Sequence, residues 1–549
     1  MEAPKLATIL VIVLAVGVTI GYVVANTSRA GTASTSTAET VTVTSTITET
    51  KAVTETVTSV REVVKTRLFR PELVADILVA SRGSLPPSSF VQVDTWRSHA
   101  PYTLVVFSPD SSMFTVTVTR YVEDKPVSEI RAYTIDGEEL WKFETGSGYI
   151  RSLAWSSDGK ILFVGENSIE GTLVALDAYT GKELWSYKTS SELGTGDPGQ
   201  PRYYWPAVYS IEYSDGKVYA SACRTVKKPK YGKICAIYCF DARDGSLVWR
   251  YPREGFIDTM VPKIKLSPDG HYLAATTWYY KGEQWKGGTL LLLDTASGDL
   301  VASFDPGTRS PFRWAGSWSG IDWLDEKHIA YVLDDGRLYV LEAPSLNTVE
   351  EVNVTSPLPA LVLPKRANAT EEGYVYAFSG YDMVVKTPTG YTLLLVRTSN
   401  TYGVTATGKS AKPTINHPDA NSIFLYEWRD GRLAFIAKYP LRGKPSYENW
   451  ASYSPERGLL AIPVGHDYVT RSIVYTGVYV LNLTDINAVR NGEALVLTVK
   501  PPAESGVVIG GGISPDGTRV VAVTYPVNTG TADNPVFIGD YRILVYRIG

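Results

Sequence analysis

The stretch LVALDAYTGKELWSY, residues 173–187, decides the fold. An apolar run closes on Asp177, Thr180-Gly181 supplies a tight-turn signal, and a second run carries Trp185. The same phrase recurs as IRAYTIDGEELWKF (130–143), IYCFDARDGSLVWRY (237–251) and LLLLDTASGDLVASF (290–304). Between these copies lies a second phrase, an apolar strand, then Ser-Pro-Asp-Gly or a relative, then another strand. It reads FSPDSS (107–112), WSSDGK (155–160), YSDGK (213–217), LSPDGH (266–271), WLDEKH (323–328), YSPERG (453–458) and ISPDGT (513–518). Each unit is therefore strand, turn, strand, loop, strand, turn, strand.

Four antiparallel strands every 40–60 residues predict an all-β chain built as a β-propeller of four-stranded blades. Eight units are counted, near 102–146, 148–189, 205–252, 260–306, 318–354, 373–440, 449–501 and 507–549. Seven is the alternative, because the sixth unit has the degenerate turn TPTG (387–390) after a linker over 355–372. The last unit stops after three strands. A fourth, contributed from SSFVQVDTWR (88–97), would close the ring and protect its edges.

At LVALDAYTGKELWSY the chain resembles the pyrroloquinoline-quinone-type (PQQ-like, quinoprotein-like) propellers. Ala175, Asp177, Thr180, Gly181 and Trp185 match that repeat signature; Asp241, Gly245 and Trp249, with Gly137 and Trp141, match it in part. The remaining units look more like WD40-type repeats. The resemblance implies that Trp141, Trp185 and Trp249 pack between neighbouring blades. It also implies one activity, a quinoprotein dehydrogenase, which holds its quinone between a Trp and a disulfide of adjacent cysteines, with Ca²⁺ on acidic and amide ligands. This chain has no adjacent cysteines: its three are Cys223, Cys235 and Cys239. Cys223 and Cys235 flank one hairpin loop and are either a cross-strand disulfide or buried thiols.

The domain plan reads 1–30 as an anchor, 31–66 as a stalk and 67–549 as the propeller with a short leading helix. LATILVIVLAVGVTIGYVVA (6–25) is an uncharged run long enough to cross a bilayer, with a cleaved signal peptide as the rival reading. Residues 31–60 contain twelve threonines and form either an extended stalk or, through Val53, Val57, Val60 and Val64, a short coiled coil that would make the chain oligomeric. ELVADILVASRG (72–83) reads as the short helix. Asn353, Asn368 and Asn482 open glycosylation sequons. Together these place the chain at a cell surface, membrane-anchored and extracytoplasmic, in the style of archaeal surface proteins.

A net charge of −4 argues against nucleic acid as a partner. The five histidines are scattered without metal-ligand spacing, and GSWSG (316–320) centres on Trp318 instead of a serine nucleophile, so no catalytic or metal residue is assigned. Alternation of strand direction puts all the long loops on one face: 190–204, 279–288, 306–317, 400–421, 441–449, 464–473 and 525–540. Long loops on a rigid frame are where binding residues gather. The candidate ligand-binding residues there are Trp205, Trp278, Trp285, Arg309, Arg313, Trp314, Trp318 and Trp450. The expectation is a non-catalytic scaffold whose long-loop face binds a protein, peptide or glycan, with no cofactor. The alternatives are a PQQ- and calcium-dependent dehydrogenase and a solute-binding subunit of a surface transport system.

Overall fold

In the computed structural model the described residues are 69–549, apart from 94–102, 123–124, 146–147, 228–231, 279, 282–283, 286–287, 313–315, 365–367, 446–449, 467–471 and 532. The anchor, the stalk and its coiled-coil alternative lie outside them. Among the described residues no helix is long and apolar enough to cross a membrane.

Among the described residues, seven four-stranded antiparallel sheets follow one another at 105–144, 149–188, 207–251, 264–304, 321–353, 381–440 and 452–499, and an eighth takes three strands from 507–548 and its fourth from Pro71–Ala80. Within each, the strands are lettered a to d from the axis outward. The a strands are Val105–Phe107, Tyr149–Trp155, Ala207–Ser214, Ile264–Leu266, Ile321–Trp323, Tyr381–Lys386, Ser452–Ser454 and Val507–Ile513. Residues of all eight blades meet around a single cavity, as in a propeller. Apolar clusters lie between successive blades, so the core is distributed around the ring.

The Ser-Pro-Asp-Gly turns have a chemical reason for their spacing. Ser108, Ser156, Ser267 and Ser514 donate to the aspartate two residues on at 2.5–2.7 Å, and each hydroxyl accepts the amide five residues on at 2.9–3.1 Å. The serine hydroxyl holds the Asp110 and Asp158 carboxyls below their usual range. The degenerate sixth turn keeps the device, with Thr387 Oγ1 accepting from the Tyr391 amide at 3.0 Å.

The tryptophans of the d strands dock on the next blade. Trp141, Trp185 and Trp249 donate their indole N–H to the carbonyls of Ala178, Ala242 and Thr295 at 2.8–2.9 Å. Each indole lies flat on the turn glycine of that blade: Gly181, Gly245 and Gly298, with φ of +70°, +71° and +74°. A Cβ there would sit about 2.5–2.6 Å from the ring, so glycine is required by contact as well as by backbone.

Three expectations are corrected. Residues 72–83 are not a helix: Pro71–Ala80 is a β-strand, pairing antiparallel with Tyr541–Ile548 as strand d of the eighth blade. Its apolar positions satisfy either period, and the otherwise bare edge of Tyr541–Ile548 selects the strand. The closing strand therefore comes from 71–80 and not from 88–97, of which Val91–Gln92 instead pairs parallel with Val527–Asn528. The supposed linker at 355–372 carries two strands, Leu358–Pro364 and Glu371–Ala377, which join Thr401–Thr405 and Ser410–Pro413 in a small closed barrel. The sixth blade accordingly starts at Tyr381.

Candidate functional site

The a strands enclose a cavity of about 380 Å³ on the propeller axis. Its charged lining groups are Arg151 and Lys263; its aromatic ones include Tyr209, Trp318, Tyr381 and Tyr453. Register explains the selection. Arg151, Tyr209 and Lys263 stand four or five residues before the turn serines Ser156, Ser214 and Ser267, at equivalent points of three repeats. Bulges at Ile150/Ser152 and Val208/Ser210 adjust which side chains face the axis.

The aromatic groups form a connected wall. Arg151 lies 5.4 Å from the ring centroid of Tyr209, Tyr209 meets Trp318 edge-on at 6.5 Å, and Trp318 meets Trp278 in a T at 5.3 Å. Trp278 donates to Asp334 Oδ2 at 2.6 Å, and burial drives the Asp334 carboxyl well above its ordinary range. Arg397, fully buried, stacks 4.2 Å from the Tyr381 centroid.

Ion pairs run from the cavity into the a strands. Lys263 Nζ is 3.8 Å from Glu212, while Lys265 Nζ is 3.9 Å from Glu212 and 3.9 Å from Asp322. Asp322 and Glu212 raise the Lys265 ammonium above its usual value. Asp382 is the opposite case: buried, with Asp322 beside it, its carboxyl is pushed well above normal, favouring the neutral form.

Of the residues picked from sequence, Trp318 lines the cavity and Trp278 backs it. Trp205 is buried, donating to the Asp197 carbonyl at 2.8 Å and fixing its own loop. Arg309 bonds the Asp335 carbonyl and Asn353 Oδ1, again locally. Trp450 is buried in the cluster between the sixth and seventh blades. Trp285 falls in a two-residue strand whose side chains are outside the described set, as are Arg313 and Trp314 entirely. Cys223 and Cys235 stand opposite in register with Cα atoms 4.1 Å apart and form a disulfide; Cys239 is a buried free thiol. Asn353 and Asn368 are exposed, and Asn482 is half-buried with Oδ1 accepting from Thr484. Arg151, Tyr209, Lys263 and Tyr381 were not singled out from the sequence, although alignment of the repeats on their turn serines contains the signal.

A PQQ-type cofactor fits part of this donor set. Two cations and an aromatic wall suit a planar polycarboxylate, and about 300–1,000 Å³ is the usual size of a small-molecule site. The calcium and disulfide of the quinoprotein pattern do not fit. No group of three His, Cys, Asp or Glu among the described residues is placed to hold a metal ion. The disulfide is 0–1 % exposed, too buried to form one face of a cofactor site.

Residues 127–309 match the family model described as outer membrane protein assembly factor BamB, so the PQQ-like repeat resemblance stands for this third of the chain. Two curated relatives are enzymes. A quinohemoprotein alcohol dehydrogenase, ADH IIB, of Pseudomonas putida is 28 % identical over 170 residues, 28 % of this chain and 21 % of its own length. A lanthanide-dependent methanol dehydrogenase of Methylorubrum extorquens is 27 % identical over 195 residues, 35 % of this chain and 28 % of its own. The chain thus spans between about a fifth and just over a quarter of the length of these relatives. Among solved structures, a europium-containing methanol dehydrogenase superposes at a TM-score of 0.50 with 14 % identity, covering 87 % of this chain and 93 % of its own, a likeness of fold. These relatives overturn the expectation of a non-catalytic scaffold: both curated relatives are alcohol or methanol dehydrogenases, and the dehydrogenase alternative accounts for them better.

Proposed function

We propose that this chain is a quinoprotein-type dehydrogenase that binds pyrroloquinoline quinone in the axial cavity and oxidises an alcohol there. The observation that carries the reading is the cavity itself, where Arg151 and Lys263 are the charged lining groups and Trp318 the largest aromatic one. When bound, the quinone supplies a two-electron acceptor for the alcohol. The protein's part is to bind and orient. Arg151 and Lys263 meet carboxylates, Trp318 offers a ring face, and Trp278, itself fixed by Asp334, keeps Trp318 from turning away. Ser319 belongs to the same lining, whereas the Ser152 hydroxyl is spent on the Val208 carbonyl and those of Ser210 and Ser452 accept from the Ile264 and Ile513 amides. Asp334 is favoured as a neutral acid by its burial, so its role is to accept the Trp278 N–H and not to remove a proton.

The reading is tested by dye-linked oxidation of primary alcohols by the full chain supplied with the quinone, with Ca²⁺ or La³⁺ as separate additions. Alcohol-dependent dye reduction that disappears in Trp318→Ala supports it. A folded protein that reduces no dye under any of these conditions refutes it.

Address belongs to the same proposal. The uncharged run 6–25, the exposed sequons at Asn353 and Asn368, and the Cys223–Cys235 disulfide favour an anchored chain facing an oxidising exterior. Protease protection of the chain in sealed vesicles of known orientation tests that side.

A further inference from the structure

We infer that the axial cavity holds its carboxylate-bearing ligand without a metal ion, using Arg151 and Lys263 where quinoproteins use a divalent or trivalent cation. This rests on the reading of the cavity as a quinone site. Two observations lead to it.

First, the cavity wall carries two cations and no carboxylate. A metal ion placed there would meet like charge instead of acidic oxygen. Second, the nearby carboxylates are engaged one step further along the a strands. Glu212 and Asp322 share Lys265, and Glu212 also faces Lys263; Asp382, the remaining acid, is favoured as neutral by its burial.

The chemistry predicted is charge-assisted hydrogen bonding from guanidinium and ammonium groups to carboxylate oxygens, sensitive to salt and indifferent to chelators. The experiment is titration of the full chain with pyrroloquinoline quinone, followed by tryptophan fluorescence and by calorimetry, in EDTA, in Ca²⁺ and in La³⁺. The expected result is a dissociation constant that agrees within about threefold among the three solutions. Arg151→Gln and Lys263→Gln should each weaken binding about tenfold, a loss of about 1.4 kcal/mol, and Lys263→Arg should retain it. Lys263→Gln leaves Glu212 with one partner fewer, so its fold is checked by circular dichroism, and Arg151→Gln provides the independent reading. Binding that occurs only with Ca²⁺ or La³⁺ overturns the metal-free site and leaves the quinone reading standing. Binding in none of the three solutions removes the quinone reading, and this inference with it. Metal-free binding that survives both Arg151→Gln and Lys263→Gln overturns the residue assignment.

Discussion

The first three junctions of the ring and the fourth are built on opposite plans. From blade 1 to blade 4 a tryptophan on the outer strand lies on a glycine of the next blade, and its N–H closes on a carbonyl there. From blade 4 to blade 5 the sizes are exchanged. Ala302 stands four residues after Gly298, where the other blades carry tryptophan, and Leu346, at φ +57°, stands where they carry glycine. The Leu346 amide still bonds the carbonyl four residues back at 2.7 Å, as those of Gly181, Gly245 and Gly298 do at 2.8–3.0 Å. Ala302 and Leu346 belong to one apolar cluster. Large-on-small and small-on-large both fill the seam. The family match ends at residue 309, just past the last docked glycine. What a family model recognises is thus one packing solution; the ring continues by another.

The widest test of this contrast is Trp185→Ala. It removes a buried indole and its hydrogen bond to Ala242, and should cost about 3–5 kcal/mol in guanidinium unfolding. At the other junction Ala302→Gly removes one methyl group and should cost about 1 kcal/mol. Equal losses at the two sites would mean that the seams are held by their strands and not by the docked side chains.

The docked half also holds a carboxyl that titrates near neutrality. Glu166, in the second blade, is pushed up to about 7 by burial, with Ser168 donating to Oε2 at 3.0 Å. Below about pH 4.5 the folded and unfolded chains both carry this proton. Between about 4.5 and 7 only the unfolded chain gives it up, so stability falls as pH rises; above 7 the loss is complete, at about 3 kcal/mol. Glu166→Gln should match the parent at pH 4 and exceed it at pH 8. A constant difference across that range would show that Glu166 does not titrate in the folded state as its burial implies.

These particulars show why the blades were legible and the site was not. A turn serine, an aspartate two residues on and a glycine are consecutive, so one repeat displays the whole device. Docked tryptophans recur at a fixed distance from their strand's own turn glycine and were read correctly as packing. The segment 71–80 was misread because LVADILVA satisfies helical and alternating patterns alike, and its partner strand lies more than 460 residues away. The cavity residues come one to four per blade. Arg151, Tyr209, Lys263 and Tyr381 span over two hundred residues, and none stands out in its own repeat. Exposed-looking tryptophans drew attention instead, and Trp205 and Trp450 proved to be buried braces.

The finest test exchanges the two plans. Ala302→Trp alone puts an indole against Leu346 and should cost about 1–3 kcal/mol by overpacking. Leu346→Gly alone opens a void in the same cluster while relaxing a residue held at positive φ, so its cost should fall below that of an ordinary buried leucine truncation. The double variant places tryptophan over glycine, the arrangement of the first three seams, and offers the new indole the backbone of blade 5 as they do. The two changes should therefore couple favourably, by about 1–2 kcal/mol in a double-mutant cycle. Strict additivity would mean that the backbones of the fourth and fifth blades are set at a spacing that admits only the present pair. The difference between the halves would then lie in the strands themselves, with side-chain size as its consequence.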